Sequence, residues 1–275
     1  MLEVLHRNGL HLVEAPGLEM ELGVRVTFTG RCGGASGGPF SSFNLSYNVG
    51  DSRNDVTTNR DRLGEAIGIA TQDWVLCRQV HGARVSVVQP LDVGRGASDF
   101  LSAIPRSDGL ATRMERVVLA VLTADCAPVI MVAPGGSAVA VAHVGWRGAL
   151  AGTAAVALGK LTGIACCSPG DVVALIGPHI GPCCMEVGGE VAERFRARFG
   201  DEVVAGSGGS GAAVDLGAAC HLQLVAAGVS GGNIFDANIC TRCDDRYFSY
   251  RGSSGTTGRQ AGLVAILGGP KCPVP

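Results

Sequence analysis

The stretch RVVLAVLTADCAPVIMVAPGGSAVAVAHVGWRGALAG, residues 116–152, decides the fold. VVLAVLT and SAVAVAHV are short, β-branched and almost continuously apolar, the pattern of strands covered on both faces. Each run ends in polar chemistry. Asp125 and Cys126 follow the first, and His143 closes the second before Gly145-Trp146-Arg147-Gly148. The alanine-rich ALAGTAAVALGKL that comes next has high helix propensity. The segment therefore predicts strands that carry functional groups to their ends, then a helix.

The same alternation extends outward. VRVTF (24–28) predicts a strand that opens into a long glycine-rich loop reaching Asp51. Val56, Leu63 and Ile67 in NDVTTNRDRLGEAIG have helical spacing behind an Asn or Asp cap. WVLCRQV and RVSVVQ predict two strands flanking His81-Gly82-Ala83 at a tight turn. DVVALIG and AGLVAIL predict further strands, while EVAERFRARFG and VDLGAACHLQLVAAG predict helices. GSGGSGAA predicts a flexible surface loop near 205–213. Strands outnumber helices without strict βαβ alternation, so the fold class is α+β, with mixed β-sheets and outer helices.

Composition narrows the function. Of 275 residues 47% are hydrophobic and 17% charged, with a net charge of -2, so a large core is available and no basic footprint for nucleic acid exists. No apolar run is long enough to span a bilayer, and the N-terminal residues do not read as a secretory signal; a cytoplasmic address is expected. The eleven cysteines, an odd number, read as mostly reduced.

His81, Cys126 and His143 each follow a predicted strand. If those strands share a sheet edge, one thiolate and two imidazoles meet in a crevice and make a Cys-His-His zinc site. A fourth position left to water makes such a site catalytic rather than structural. Arg147, at the start of the predicted helix, adds a forked cation to the helix N-terminus and predicts an anion site. The plain alternative is a surface arginine with Trp146 packed on the core. Cys240-Thr-Arg-Cys243 has no second CxxC, and a structural-zinc or redox role is the minority reading for it. Cys183 and Cys184 read as buried residues or part of a site wall. The glycine loop lacks the Lys-Ser/Thr of a P-loop; it reads as a lid bearing Arg31, with the Asn44 amide at its far end.

Taken in order, FTGRCGGASGGPFSSFNLSYNVGD, RQVHGARV, SDGLAT, LTADCAPV, AHVGWRGALAG, IGPHIGPCCMEVG and CTRCDDRYFSYRGSSGTTGRQAG span nearly the whole chain. This set resembles the YfiH-like or laccase-domain family, whose members are also called polyphenol oxidases or purine nucleoside phosphorylases. The resemblance implies a single domain, 1–275, layered α/β/β/α. It implies that His81, Cys126 and His143 bind one zinc ion per chain, with copper the less favoured metal. It places Arg31, Asn44 and Arg147 near substrate, with Trp146 beside them. Two positions depart from the family pattern: Met185 stands where an aromatic residue is usual, and Gly252 where a second arginine is usual.

The implied activity is zinc-dependent phosphorolysis of adenosine, inosine, guanosine or methylthioadenosine, with adenosine deaminase activity at the same site. The partners are then purine nucleosides and phosphate, with no nucleic acid and no membrane. Arg147 and Arg31 would hold phosphate, and Asp125 or Glu186 would handle the proton. Three alternatives stand beside it. One is a cysteine hydrolase acting on peptidoglycan precursors, with Cys126 as nucleophile, His143 as base and Asp125 assisting. Another is a copper polyphenol oxidase, disfavoured because multicopper chemistry needs roughly ten histidines with His-x-His pairs; the chain has six and no such pair. The last is a non-enzymatic metal-binding interaction protein. Oligomeric state is not legible.

Overall fold

The computed structural model describes residues 2–206 and 211–268. In chain order the elements are β1 (Glu3–Arg7), β2 (Leu10–Glu14), α1 (Pro16–Leu22), β3 (Val24–Thr29), α2 (Arg53–Ile67), β4 (Trp74–Leu76), β5 (Val85–Val87), β6 (Gly109–Thr112), β7 (Val118–Thr123), β8 (Ala127–Val132) and β9 (Val139–Val144). They continue with α3 (Trp146–Ala151), α4 (Thr153–Ala165), β10 (Val173–Ile176), β11 (Glu186–Val187), α5 (Gly189–Phe199), β12 (Val204–Ala205), β13 (Ala212–Val214), α6 (Leu216–Ala226), β14 (Ile234–Asp236) and β15 (Gln260–Ile266).

Two six-stranded mixed sheets organise these elements. One runs β1-β2-β3-β15-β7-β4 and the other β14-β10-β8-β9-β6-β5. Their facing sides bury Val26, Phe28, Leu119, Val121 and Val264 against Ile130, Val139, Val141 and Leu175. The outer face of the first sheet, through Val118, Ala120 and Leu263, packs on Leu63 and Ile67 of α2. The outer face of the second, through Met131, Ala140 and Ala142, packs on Leu158 and Leu161 of α4 and Leu224 of α6. Successive residues of β7 and β9 thus enter different cores, and a period-two alternation disappears because both faces are apolar. The α+β class with mixed sheets and outer helices holds.

Several local expectations change. The apolar run at 116–152 makes three strands rather than two, since APVIMV forms β8 between the anticipated β7 and β9. The helix expected from Ala149 to Leu161 is broken. Gly152 adopts φ 83°, a left-handed conformation that ends α3 after six residues, and α4 starts afresh. The cap of α2 is Ser52, whose Oγ accepts from the Asp55 backbone N–H, rather than an Asn or Asp. In the glycine-rich segment near 205–213, β12 and β13 pair antiparallel on either side, while 207–210 lie outside the described residues. No helix among the described residues is long and apolar enough to cross a membrane.

Candidate active site

The strands that deliver His81, Cys126 and His143 do not share one sheet. β4 and β7 are parallel neighbours in the first sheet, so their C-terminal ends lie side by side. The chain leaves both ends for the second sheet. His81 lies on the crossing from β4 to β5, and Cys126 on the crossing from β7 to β8. His143 reaches the same place from β9, where it lies opposite Pro128 of β8. The convergence expected at one sheet edge therefore occurs where the two sheets pass chain to each other.

The ligand atoms of His81, Cys126 and His143 all lie within 4.8 Å of one another. The two imidazoles meet edge to face, with centroids 4.9 Å apart. Gly145 makes the approach feasible: a Cβ there would sit 2.8 Å from Cys126 Sγ and 3.1 Å from the His81 ring. His81 (φ 58°) and Asp125 (φ 86°) both occupy left-handed backbone space that non-glycine residues rarely adopt. Strain of this kind persists where surrounding contacts over-determine the chain.

Asp108 supplies much of that determination. It is fully buried at the mouth of β6 and accepts from the backbone N–H groups of His81 (2.8 Å) and Gly82 (2.8 Å). Its Oδ1 also lies 3.1 Å from His143 Nδ1. Burial opposes its ionisation, but the His143 hydrogen bond and the Gly82 and Val80 amides hold it below the usual carboxylate range. Asp108 thereby fixes the His143 ring and leaves Nε2 for the cluster, the carboxylate–histidine support common around metal ions. Thr153 Oγ1 donates to Gly82 O at 2.8 Å, and Gln79 bonds both ways with Leu122, which pins the His81 crossing to β7.

Charge in the cluster is coupled. Burial disfavours the Cys126 thiolate, yet the His143 charge and hydrogen bonds from His143 and His81 bring the thiol down to about 6. Burial likewise disfavours the His143 imidazolium, which the Cys126 thiolate and Asp108 raise to about 9. One pre-ionised thiolate flanked by two imidazoles, one of them oriented by a buried carboxylate, is a donor set suited to zinc.

The cluster opens into a cavity of about 590 Å³ lined by His81, Asp125, Cys126, His143, Trp146 and Arg147 among others. Arg31 and Asn44 are not in its lining. The Arg31 side chain donates to Ser41 O and lies over the Phe248 ring. Asn44 is fully buried, and its Oδ1 accepts from the Arg259 backbone N–H, so it supports a wall residue rather than facing the cavity. Arg147 does line the cavity, with its guanidinium 4.1 Å from the Trp146 ring centre. The helix behind it has only six residues, so the dipole expected there is short. Asp125 accepts from Thr241 Oγ1 (2.8 Å) and from the Arg251 backbone N–H (2.7 Å). Glu186 is exposed and outside the lining, whereas Met185 is part of it.

Sequence reasoning passed over Asp108, Thr123, Tyr250, Arg251 and Arg259. The last four line the cavity, and Thr123 Oγ1 is buried with no hydrogen-bond partner. The signal for Asp108 was present, as a carboxylate directly ahead of the apolar strand GLAT. The others lie inside the segments LTADCAPV and CTRCDDRYFSYRGSSGTTGRQAG, yet no local pattern brings them to one cavity, which forms because β15 and β7 are neighbours.

A family model described as "Multi-copper polyphenol oxidoreductase laccase" matches residues 25–267. The chain is 40% identical over 250 residues to "Purine nucleoside phosphorylase YlmD" of Geobacillus stearothermophilus, covering 90% of each chain. It is 36% identical over 228 residues to "Adenosine deaminase RL5" of an unknown prokaryotic organism, covering 80% of this chain and 85% of the relative. The crystal structure of the Bacillus licheniformis hypothetical protein YfiH superposes with a TM-score of 0.88 at 30% identity, covering 94% of this chain and 97% of that one. The chain belongs to the polyphenol oxidoreductase laccase family, that of YfiH and YlmD, and is a homologue of purine nucleoside phosphorylases and an adenosine deaminase.

Proposed function

We propose that this protein is a zinc-dependent purine nucleoside phosphorylase that also deaminates adenosine, working in the cavity above His81, Cys126 and His143. The observation that carries the proposal is the joining of that donor cluster to a cavity with cationic and aromatic walls. Pockets of roughly 300–1,000 Å³ suit small organic ligands, and about 590 Å³ accommodates a nucleoside with phosphate. Relatives bearing the names purine nucleoside phosphorylase and adenosine deaminase support the same substrates.

The chain's residues divide the work. Trp146, Tyr47, Phe100 and Tyr250 offer aromatic faces for a purine. Arg147 offers a guanidinium fork for phosphate and is kept in place by its stacking on Trp146, while Arg259 spends Nη1 on Thr257 O and Gly258 O and adds positive charge to the wall. Arg60 lines the same cavity but is a wall support, since it donates to Leu45 O, Gly96 O and Ala97 O. Thr123 also lines the cavity, but its Oγ1 is buried without a hydrogen-bond partner and does not face the ligand space. Asp125 is the carboxylate at the cavity and is assigned the proton, with Thr241 and the Arg251 amide fixing its orientation. A zinc ion held by His81, Cys126 and His143 would supply a Lewis acid beside the reacting nucleoside.

Copper oxidase chemistry is not supported by the residues. Of the six histidines only His81 and His143 line the cavity, too few for a multinuclear copper centre. One observation favours a second reading as a cysteine hydrolase. Asp108, His143 and Cys126 form a carboxylate–imidazole–thiolate series, with Asp108 in the place expected for Asp125. The test is incubation of the zinc-loaded protein with inosine, with and without phosphate. Phosphate-dependent hypoxanthine release supports the phosphorylase. No cleavage of inosine, together with hydrolysis of a peptidoglycan-precursor peptide by metal-free protein that alkylation of Cys126 abolishes, supports the hydrolase.

A further inference from the structure

Away from the cavity cluster, Cys183, Cys184, Cys240 and Cys243 bring four Sγ atoms within 4.8 Å of one another. Two tight turns present them. In the first, the N–H groups of Cys184 and Met185 both donate to Gly181 O at 3.0 Å. In the second, the N–H groups of Cys243 and Asp244 donate to Cys240 O at 3.2 and 3.1 Å. A backbone ladder joins the turns, with His179 N–H donating to Ile239 O (3.1 Å) and Thr241 N–H to His179 O (3.0 Å). The CxxC at 240–243 thus acquires, from a second loop, the partner pair that it lacks in sequence.

The separations fit a metal better than a disulfide. Cys243 Sγ stands 3.6 Å from Cys183 Sγ and 3.4 Å from Cys184 Sγ. A tetrahedral zinc with Zn–S distances of about 2.3 Å sets its sulfurs about 3.8 Å apart, whereas a disulfide requires about 2.05 Å. The Gly181 backbone N–H donates to Cys240 Sγ at 3.2 Å, a contact that stabilises a thiolate. Cys183 and Cys243 are exposed while Cys184 is buried, so an ion has access from solvent to a partly sheltered position. Four soft thiolates in a closed set select zinc in a structural role, with no position left for substrate.

We propose that Cys183, Cys184, Cys240 and Cys243 form a second zinc site, a tetrathiolate clasp distinct from the His81–Cys126–His143 centre. The clasp ties the 180–186 loop to the 240–251 loop. Both loops reach the cavity: Ile180 and Met185 line it from one, Tyr250 and Arg251 from the other. Thr241, inside the clasp, donates to Asp125. The zinc holds these two walls in register, and its binding is independent of any nucleoside activity.

The test is metal analysis and cobalt titration of the full chain, purified and reduced. Two zinc ions per chain are expected in the native sequence. C126S should keep one, and on cobalt loading should show the strong charge-transfer absorption of a four-thiolate site. C240S/C243S should keep one and show only the weaker absorption of a single thiolate. A single zinc in the native protein, with C126S taking up none, overturns the proposal. So does recovery of the four cysteines as disulfides that take up no metal after reduction. The C126S measurement leaves the clasp residues intact and decides the matter even where the double variant fails to fold.

Discussion

The two thiol-containing clusters are built by opposite strategies. The cavity cluster gathers single residues from three distant points, each at the end of a buried strand or on a crossing between sheets. The four-cysteine cluster gathers two pairs from two adjacent loops. The first holds three donors, a buried carboxylate behind one imidazole and an open side toward a large cavity. The second holds four donors of one kind and lines no part of that cavity. Buried strands and crossings place the first cluster at a cavity that reaction partners can enter; the second joins two loops that backbone hydrogen bonds already hold side by side. The difference predicts that damage to the first abolishes chemistry, whereas damage to the second loosens a wall.

The largest effect should come from His81→Ala, which removes one of three donors from a centre with no reserve. Metal analysis should show the cavity site empty and nucleoside cleavage lost, with the cysteine clasp still loaded. Retention of both ions would remove His81 from the site. Next comes Asp108→Asn, which keeps the shape but removes the charge behind His143. Support of this type is worth about 10–100-fold in metal affinity, measurable by competition with a chelator. An unchanged affinity would show that Asp108 serves the backbone alone. Gly145→Ala forces a Cβ against Cys126 Sγ, and should weaken zinc at the cavity site while leaving the clasp untouched.

Protonation offers a subtler contrast. In metal-free protein the Cys126 thiol ionises near 6, below its ordinary value, and the His143 imidazolium persists to about 9, above its own. The thiolate–imidazolium pair therefore exists between about pH 6 and pH 9. Stabilisation by the lowered thiol is lost as pH falls through about 6, and that by the raised imidazole as pH rises through about 9. Alkylation of Cys126 in the metal-free protein should reach half its plateau rate near pH 6, and zinc should protect it. Buried Cys77, whose thiol burial pushes far up, should stay unreactive across that range. The smallest effect belongs to Thr123→Val. The change swaps a buried, unpartnered hydroxyl for a methyl, so it should leave kcat/KM and metal content unchanged and raise stability by about 1 kcal/mol, read by thermal unfolding.

How far these regions were legible in the sequence follows from the same contrast. The strand runs around Cys126 and His143 were readable because local apolar patterning and β-branching dictate them. Their assignment to two sheets was not, because a strand buried on both faces carries no signal of which sheet it joins. His81 announced itself by its place between two apolar runs, though those runs lie in different sheets rather than in one hairpin. Asp108, Arg251 and Arg259 act through pairings between remote strands. The clasp was hidden for a similar reason: Cys183-Cys184 and Cys240-Thr-Arg-Cys243 stand more than fifty residues apart, and the CxxC supplies only half of a four-ligand set.

If the cavity cluster carries phosphate-dependent nucleoside cleavage, Cys126 is indispensable to it. The most direct test is product analysis of inosine incubated with zinc-loaded native protein and with C126S, each with and without phosphate. Native protein should release hypoxanthine and ribose 1-phosphate only when phosphate is present, and C126S should release neither. Equal product formation by C126S, or no cleavage by native protein carrying zinc at His81, Cys126 and His143, would contradict that assignment.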